Sequence, residues 1–228
     1  MGVGEIRRSP SEGCATRISP ASTFKIPHAL AALDSGVLSD PNVTFRHGGA
    51  PVHFATWARD HTLATAMRYS VVWFFQRIAT MLGPDRERAY LAKLEYGNQD
   101  SSSGLTTFWL DGSLRISPDE QERFMVRLYD DVLPIKKKAM QSVREILVQP
   151  PGVVVNAVGE HPFAAPWPEG TVVSAKTGRG ADVTWLVGHV QRQNRSWIFV
   201  SCVIGPSDLD PLAAIDLAAT SLRSAQVL

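Results

Sequence analysis

Apolar positions in the first two thirds of the chain recur at helical spacing. From Ser22 to Val37, Phe24, Ile26, Ala29, Leu30 and Leu33 mark one helix, and Asp34-Ser35-Gly36 supplies its stop. Pro27 falls early enough for a first-turn position to tolerate its missing N–H. Residues 39–60, rich in Pro, Gly, His and Asp, read as loop. Helical periodicity returns from Thr62 to Leu82 through Leu63, Ala66, Met67, Tyr69, Val71, Val72, Phe74, Phe75 and Ile78, with Ser70 inside the helix and Gly83-Pro84 ending it. A short helix is expected over 87–94. A turn-rich loop then runs from Tyr96-Gly97-Asn98 to Gly104 and leads into Phe108-Trp109-Leu110. Ser117-Pro118-Asp119-Glu120 combines an N-cap, an N1 proline and an acidic first turn, which starts a helix running to about Asp130. Another helix covers about 136–147, with Lys136-Lys137-Lys138 on its solvated face.

The C-terminal third changes character. Residues 149–170 are punctuated by Pro and Gly, with Val153-Val154-Val155 as a short strand. Residues 171–175, 183–190 and 196–204 read as three further strands, and 211–224 as a closing helix. Helices first and an antiparallel sheet last give an α+β class. The expected division is a single domain over 1–228, with a helical lobe at about 39–148 and a sheet lobe built from 1–38 and 149–228.

Charge narrows the partners. With 23 basic and 22 acidic residues the net charge is +1, so nothing electrostatic draws the chain to nucleic acid or to an anionic membrane. No apolar run approaches the roughly 20 residues that span a bilayer. The stretch Met1 to Arg8 lacks the apolar middle of a signal peptide. Cys202 lies in an apolar run and is expected as a buried free thiol; whether it pairs with Cys14 is open. The six histidines, at 28, 47, 53, 61, 161 and 189, show no metal-ligand spacing and are read as surface or supporting residues, so no metal is expected.

Candidate chemistry begins at Pro20-Ala21-Ser22-Thr23-Phe24-Lys25, the one Ser-x-x-Lys in the sequence. On a helix starting near Ser22 this spacing stacks hydroxyl and amine on one face, a base within reach of a nucleophile. The tetrapeptide alone arises by chance roughly once in a chain of this size. Further elements follow in order: Ser70-Val71-Val72, Tyr96-Gly97-Asn98, Trp109, and Lys176-Thr177-Gly178 at the end of a predicted strand.

This ordered set resembles the class D serine β-lactamases, the oxacillinase family of penicillin-recognising enzymes. The class A relatives have Ser-Asp-Asn where this chain has Ser-x-Val. The likeness extends through Tyr69-Ser70-Val71-Val72-Trp73-Phe74-Phe75-Gln76, Phe108 to Pro118 and Trp185-Leu186-Val187-Gly188. It implies an antiparallel sheet flanked by helices beside a helical lobe, a β-lactam as small-molecule substrate, and a periplasmic or secreted location.

The resemblance also assigns roles. Ser22 is the nucleophile. Lys25 is carboxylated by carbon dioxide to a carbamate that acts as general base, the only added group required. Val72 and Trp109 form the carbamate's surroundings, with the Trp109 indole N–H as a hydrogen-bond donor. Ser70 passes a proton to the leaving nitrogen beside Lys176, Thr177 meets the substrate carboxylate, and Gly178 permits close backbone approach. Backbone N–H groups of Ser22 and Arg179 form the oxyanion hole, and Tyr96 and Asn98 shape their loop. An unmodified lysine supports no such base, since a pKa near 10.4 leaves about one molecule in 2,500 neutral at pH 7.

Three departures stand out. Where the family carries an arginine at the start of the last helix, this chain has Ala213, and Arg179 or Arg223 is expected to substitute. Only 21 residues precede Ser22, so the expectation is an N-terminally shortened sheet. The 149–170 stretch is longer than usual and is expected as a surface loop. The alternative reading is a β-lactam sensor or penicillin-binding module that is acylated and turns over poorly. Oligomeric state is open.

Overall fold

In the computed structural model, which describes residues 7–9 and 12–228, the elements run α1 (Lys25–Asp34), β1 (Thr44–Phe45), β2 (His61–Thr62), α2 (Leu63–Arg68), α3 (Val72–Leu94), α4 (Pro118–Tyr129), α5 (Lys137–Ile146), β3 (Val153–Asn156), β4 (Gly159–Pro162), β5 (Thr171–Arg179), β6 (Val183–Arg192), β7 (Arg195–Ile204) and α6 (Ala213–Ser224). The stretch Met1 to Ile6, most of the segment tested above for a signal peptide, lies outside the described residues.

The three apolar C-terminal runs form an antiparallel sheet in the order β5-β6-β7. Alternation along the strands assigns its faces. Val173 and Ala175 of β5 and Leu186 and Val190 of β6 pack with Ala214, Ile215 and Ala218 of α6. On the opposite face, Trp185 and Val187 join the larger core, with Phe24 and Leu30, Phe74 and Phe75, and Met125 and Met140 from the helices. The α+β architecture follows, a sheet between one terminal helix and the helical body. Strand β5 extends past its predicted end to Arg179, so Lys176-Thr177-Gly178 lies within it.

The expected helix over 62–82 is two helices. Ser70 N donates to Met67 O at 3.3 Å and Val71 N to Ala66 O at 2.9 Å, the bonding pattern of a Schellman C-cap, with Ser70 in the left-handed position at φ 56°. Tertiary contacts support the break: Trp57 Nε1 donates to the Tyr69 carbonyl at 2.9 Å. Apolar periodicity continues across such a cap, so the pattern alone concealed it. Gly83-Pro84 marks a kink within α3, Gly83 having φ 76° and ψ 165°. The Val153 strand has a partner that the sequence pattern missed, since β4 is Gly-Glu-His-Pro with no apolar alternation; β3 pairs with it from Val153↔Pro162 to Asn156↔Gly159.

Helix α4 starts as expected, Ser117 and Glu120 forming a capping box. Lys136, Lys137 and Lys138 are exposed. Cys202 is half-buried on β7, more open than expected, and burial still pushes its thiol up to about 12. Among the described residues no helix is long and apolar enough to cross a membrane.

Asp34 ties α1 to two neighbours. Its carboxylate accepts from Tyr90 Oη at 2.8 Å, Lys93 Nζ at 2.9 Å and Lys136 N at 2.8 Å. Burial alone raises its pKa; the bonds from Lys136, Lys93 and Tyr90 outweigh burial and hold it below the ordinary 3.8. A depressed carboxylate stabilises the fold above its unfolded pKa, and that contribution is lost as pH falls through the folded value. Urea unfolding at neutral pH is expected to show Asp34→Asn less stable by about 2 kcal/mol, with the gap to wild type narrowing below pH 3.8.

Candidate active site

The turn that carries Ser22 is short and tightly held. Ala21–Phe24 is a 3₁₀ turn and the α-helix begins only at Lys25, so Ser22 precedes α1 where the sequence pattern placed it at the helix N-terminus. The three-residue spacing still brings the groups together, with Lys25 Nζ 2.6 Å from Ser22 Oγ. Thr23 Oγ1 donates to the Pro20 carbonyl at 2.7 Å and accepts from Gln121 Nε2 at 2.5 Å. Trp185 Nε1 donates to the Ser19 carbonyl at 2.9 Å, fastening the turn to the sheet.

Lys25 is fully buried, its Nζ 5.4 Å from the Phe75 ring centroid. Burial disfavours the ammonium and pushes the pKa down from 10.5 to about 7. Lys176 is also buried and lies well below the ordinary lysine value, through burial first and repulsion from Lys25 second. The strand that carries Lys176 and the turn that precedes Lys25 meet at Gly178, so the two buried amines sit on adjoining segments. Lys176 Nζ donates to Ser70 Oγ at 2.9 Å and to the Thr177 carbonyl at 2.7 Å, with Thr177 Oγ1 at 3.4 Å.

Trp109 is fully buried, and its indole Nε1 has no hydrogen-bond partner among the described residues. An unpaired buried N–H costs about 1–3 kcal/mol, so it marks where an acceptor belongs. Val72, expected to shelter Lys25, is half-buried at the start of α3; the side chain beneath the amine is Phe75, one turn further on. The sequence pattern gave Phe75 only as a core residue, and nothing in its periodicity separates the two roles.

Gly178 is where the strand meets the turn that carries Ser22. A Cβ there meets Thr23 Cγ2 at 3.0 Å, the Pro20 carbonyl oxygen at 3.1 Å and Trp185 Cβ at 3.2 Å. Thr177 is nearly buried and Arg179 is exposed, both on the sheet face that packs on α6. Ala213 opens α6, and Arg223, near its far end, donates to the Ala165 carbonyl at 2.8 Å.

Tyr96 is buried, with Oη 3.3 Å from Gln121 Oε1, and burial raises its pKa strongly. Asn98 braces its loop from both ends: Nδ2 donates to the Ser113 carbonyl at 2.8 Å, and Oδ1 accepts from Arg115 N at 2.8 Å. Of the histidines read as surface or supporting residues, His28, His61 and His189 are buried. His61 is held by Thr65 Oγ1 at 3.1 Å and the Thr56 carbonyl at 3.0 Å, and His189 stacks on Tyr129.

Residues 7–219 match the family model of the penicillin-binding protein transpeptidase domain. The chain is 38% identical over 180 residues to beta-lactamase OXA-48 of Klebsiella pneumoniae, covering 79% of this chain and 63% of that protein. It is 36% identical over 213 residues to beta-lactamase OXA-10 of Pseudomonas aeruginosa, covering 87% and 74%. The chain thus spans less than two thirds of the length of OXA-48. Among solved structures, class D beta-lactamase BAT-2 superposes with a TM-score of 0.83 at 32% identity, covering 96% of this chain and 85% of that one. A class D beta-lactamase from Bacillus subtilis gives a TM-score of 0.84 at 30% identity, with 96% and 85% covered.

In carbon dioxide-free buffer, NMR of isotope-labelled lysine, assigned by Lys25→Arg, is expected to show Lys25 titrating near pH 7, where exposed lysines titrate near 10.4. A Lys25 transition above pH 9 contradicts the burial argument.

Proposed function

The chain belongs to the class D β-lactamases, and from that membership and the Ser22–Lys25 geometry we propose that it hydrolyses β-lactams through an acyl-Ser22 intermediate, with Lys25 carboxylated by carbon dioxide as general base. The observation that carries the proposal is the pairing of a nucleophile with a lysine that burial brings near neutrality at pH 7. Only the neutral amine adds to carbon dioxide.

The residues around Lys25 fit the modified group. The Trp109 indole N–H is buried without a partner and would donate to it. With carbon dioxide bound, Lys25 would be a carboxylate-like base, able to take the Ser22 hydroxyl proton in acylation and a water proton in deacylation.

The remaining roles fall to the chain itself. Ser22 Oγ attacks the lactam carbonyl carbon, and the C–N bond of the four-membered ring breaks as the acyl–serine ester forms. The Ser70 hydroxyl delivers a proton to the departing nitrogen; Lys176, 2.9 Å from Ser70 Oγ, replaces it. Backbone N–H groups of Ser22 and Arg179 stabilise the developing oxyanion, and each such donor is worth about 10² to 10³ in turnover. Gly178 keeps these two segments close enough to act on one carbonyl. Thr177 offers its hydroxyl to the substrate carboxylate. Arg179 supplies the charge there, since Arg223 is engaged at the opposite end of α6. A periplasmic or extracellular location accords with the family.

Turnover of a chromogenic cephalosporin is expected to be sustained and stimulated by bicarbonate; a single stoichiometric burst points instead to an acylated sensor. Ser22→Ala is expected to give no penicillin adduct by mass spectrometry, and Lys25→Ala to lose roughly 10² to 10⁴ in turnover. Arg179→Ala is expected to raise KM for carboxylate-bearing penicillins about three- to tenfold, the range of a partly exposed charge contact. An unchanged KM removes Arg179 from this role.

A further inference from the structure

One buried polar pair plays no part in the chemistry described above. His28 lies on α1 one turn after Lys25, and Glu87 lies on α3 one turn beyond the Gly83 kink. His28 Nε2 and Glu87 Oε1 are 2.6 Å apart, and the side chains are 0% and 2% exposed. Such a pair is an inefficient way to stabilise a core, because desolvation offsets most of the attraction and apolar side chains of similar volume do as well or better. Its location offers another reason for it.

Three aromatic side chains confine the Trp109 indole. Phe24 stacks on it at 5.7 Å between centroids, Phe108 meets it edge-on at 5.0 Å, and His28 meets it in a T at 5.2 Å. His28 also contacts Phe24 at 5.2 Å and Phe75 at 5.8 Å, the ring beneath Lys25. A phenyl ring turned by half a revolution presents the same surface. An imidazole does not, and its angle is set by the bond from Nε2 to Glu87. Among the three rings against Trp109, His28 is therefore the one whose rotation is fixed by a hydrogen bond from another helix.

We propose that the His28–Glu87 pair is a positioning device for Trp109, locking the His28 ring against the indole so that the unpartnered indole N–H is held for the modified Lys25. The inference rests on the carboxylated-lysine reading above. It assigns His28 and Glu87 an effect on the affinity of Lys25 for carbon dioxide and none on substrate binding. Neither side chain reaches the substrate; both act through Trp109.

The test uses the whole chain and ¹³C-bicarbonate. Single substitutions leave a buried polar group without its partner and endanger folding, whereas replacing both partners by apolar groups is close to neutral. The double variant His28→Leu/Glu87→Leu is therefore the main probe, with circular dichroism confirming its fold. The carbamate ¹³C signal is expected to require roughly tenfold more bicarbonate for half-saturation in the double variant, the size of one weakened hydrogen bond to a charged acceptor. KM for penicillin stays at the wild-type value, and kcat recovers as bicarbonate is raised. A merely structural role shifts the unfolding midpoint and leaves the bicarbonate titration in place, which overturns the proposal. Wild-type protein without any carbamate signal overturns the base assignment and this inference together, whereas a wild-type signal with an unmoved titration in the double variant overturns this inference alone.

Discussion

Two buried lysines on adjoining segments are the constraint around which the molecule is arranged. An ammonium buried over the Phe75 ring loses its hydration without gaining a carboxylate partner among the described residues, and a second lysine nearby adds repulsion. A lysine moved from 10.5 to about 7 represents on the order of 4 kcal/mol of stability forgone at neutral pH. Because the folded value lies below the unfolded one, the penalty is greatest in acid and shrinks as pH rises from about 7 toward 10.5. The rest of the structure must supply that energy elsewhere, and the extensive core shared by α1, α3, α4, α5 and the inner face of the sheet is its source.

The same constraint explains how the elements meet. Lys25 enters from α1 and Lys176 from β5, so the nucleophile turn has to lie against the strand with no side chain between them. Gly178 makes that approach possible, and Trp185 and Gln121 secure the turn from the sheet and from α4. Polar atoms are placed sparingly around these lysines: Ser22 beside Lys25, Ser70 beside Lys176, and the Trp109 indole N–H and His28 Nδ1 without partners among the described residues. In the proposed mechanism a reacting substrate meets Ser22 and Ser70, and a modified Lys25 accepts from the indole N–H.

Much of this was legible in the sequence because the reactive residues lie in short, spaced motifs. Ser22-Thr23-Phe24-Lys25, Ser70-Val71-Val72 and Lys176-Thr177-Gly178 each carry a local geometry, and the strands and capped α4 follow from alternation and turn chemistry. What escaped detection depended on contacts between distant segments. The break at Ser70 rests partly on Trp57, and the link from Gln121 to Thr23 joins residues on separate elements. The burial of His28 against Glu87 was likewise invisible, since a histidine on an apolar helix gives no sign of its partner. The hairpin strand β4 was missed because its residues lack the alternation by which strands are read.

The bond between Lys176 and Ser70 joins residues 106 positions apart. Ser70 is mounted by a helix cap, a local structure that a short stretch of chain can form early, whereas Lys176 arrives only when the C-terminal sheet docks. In the proposed relay, a chain whose sheet is still detached therefore holds the Ser70 hydroxyl with no Lys176 amine to return its proton. Under the proposed mechanism turnover therefore reports that both segments are assembled, whereas helical content reports only one of them.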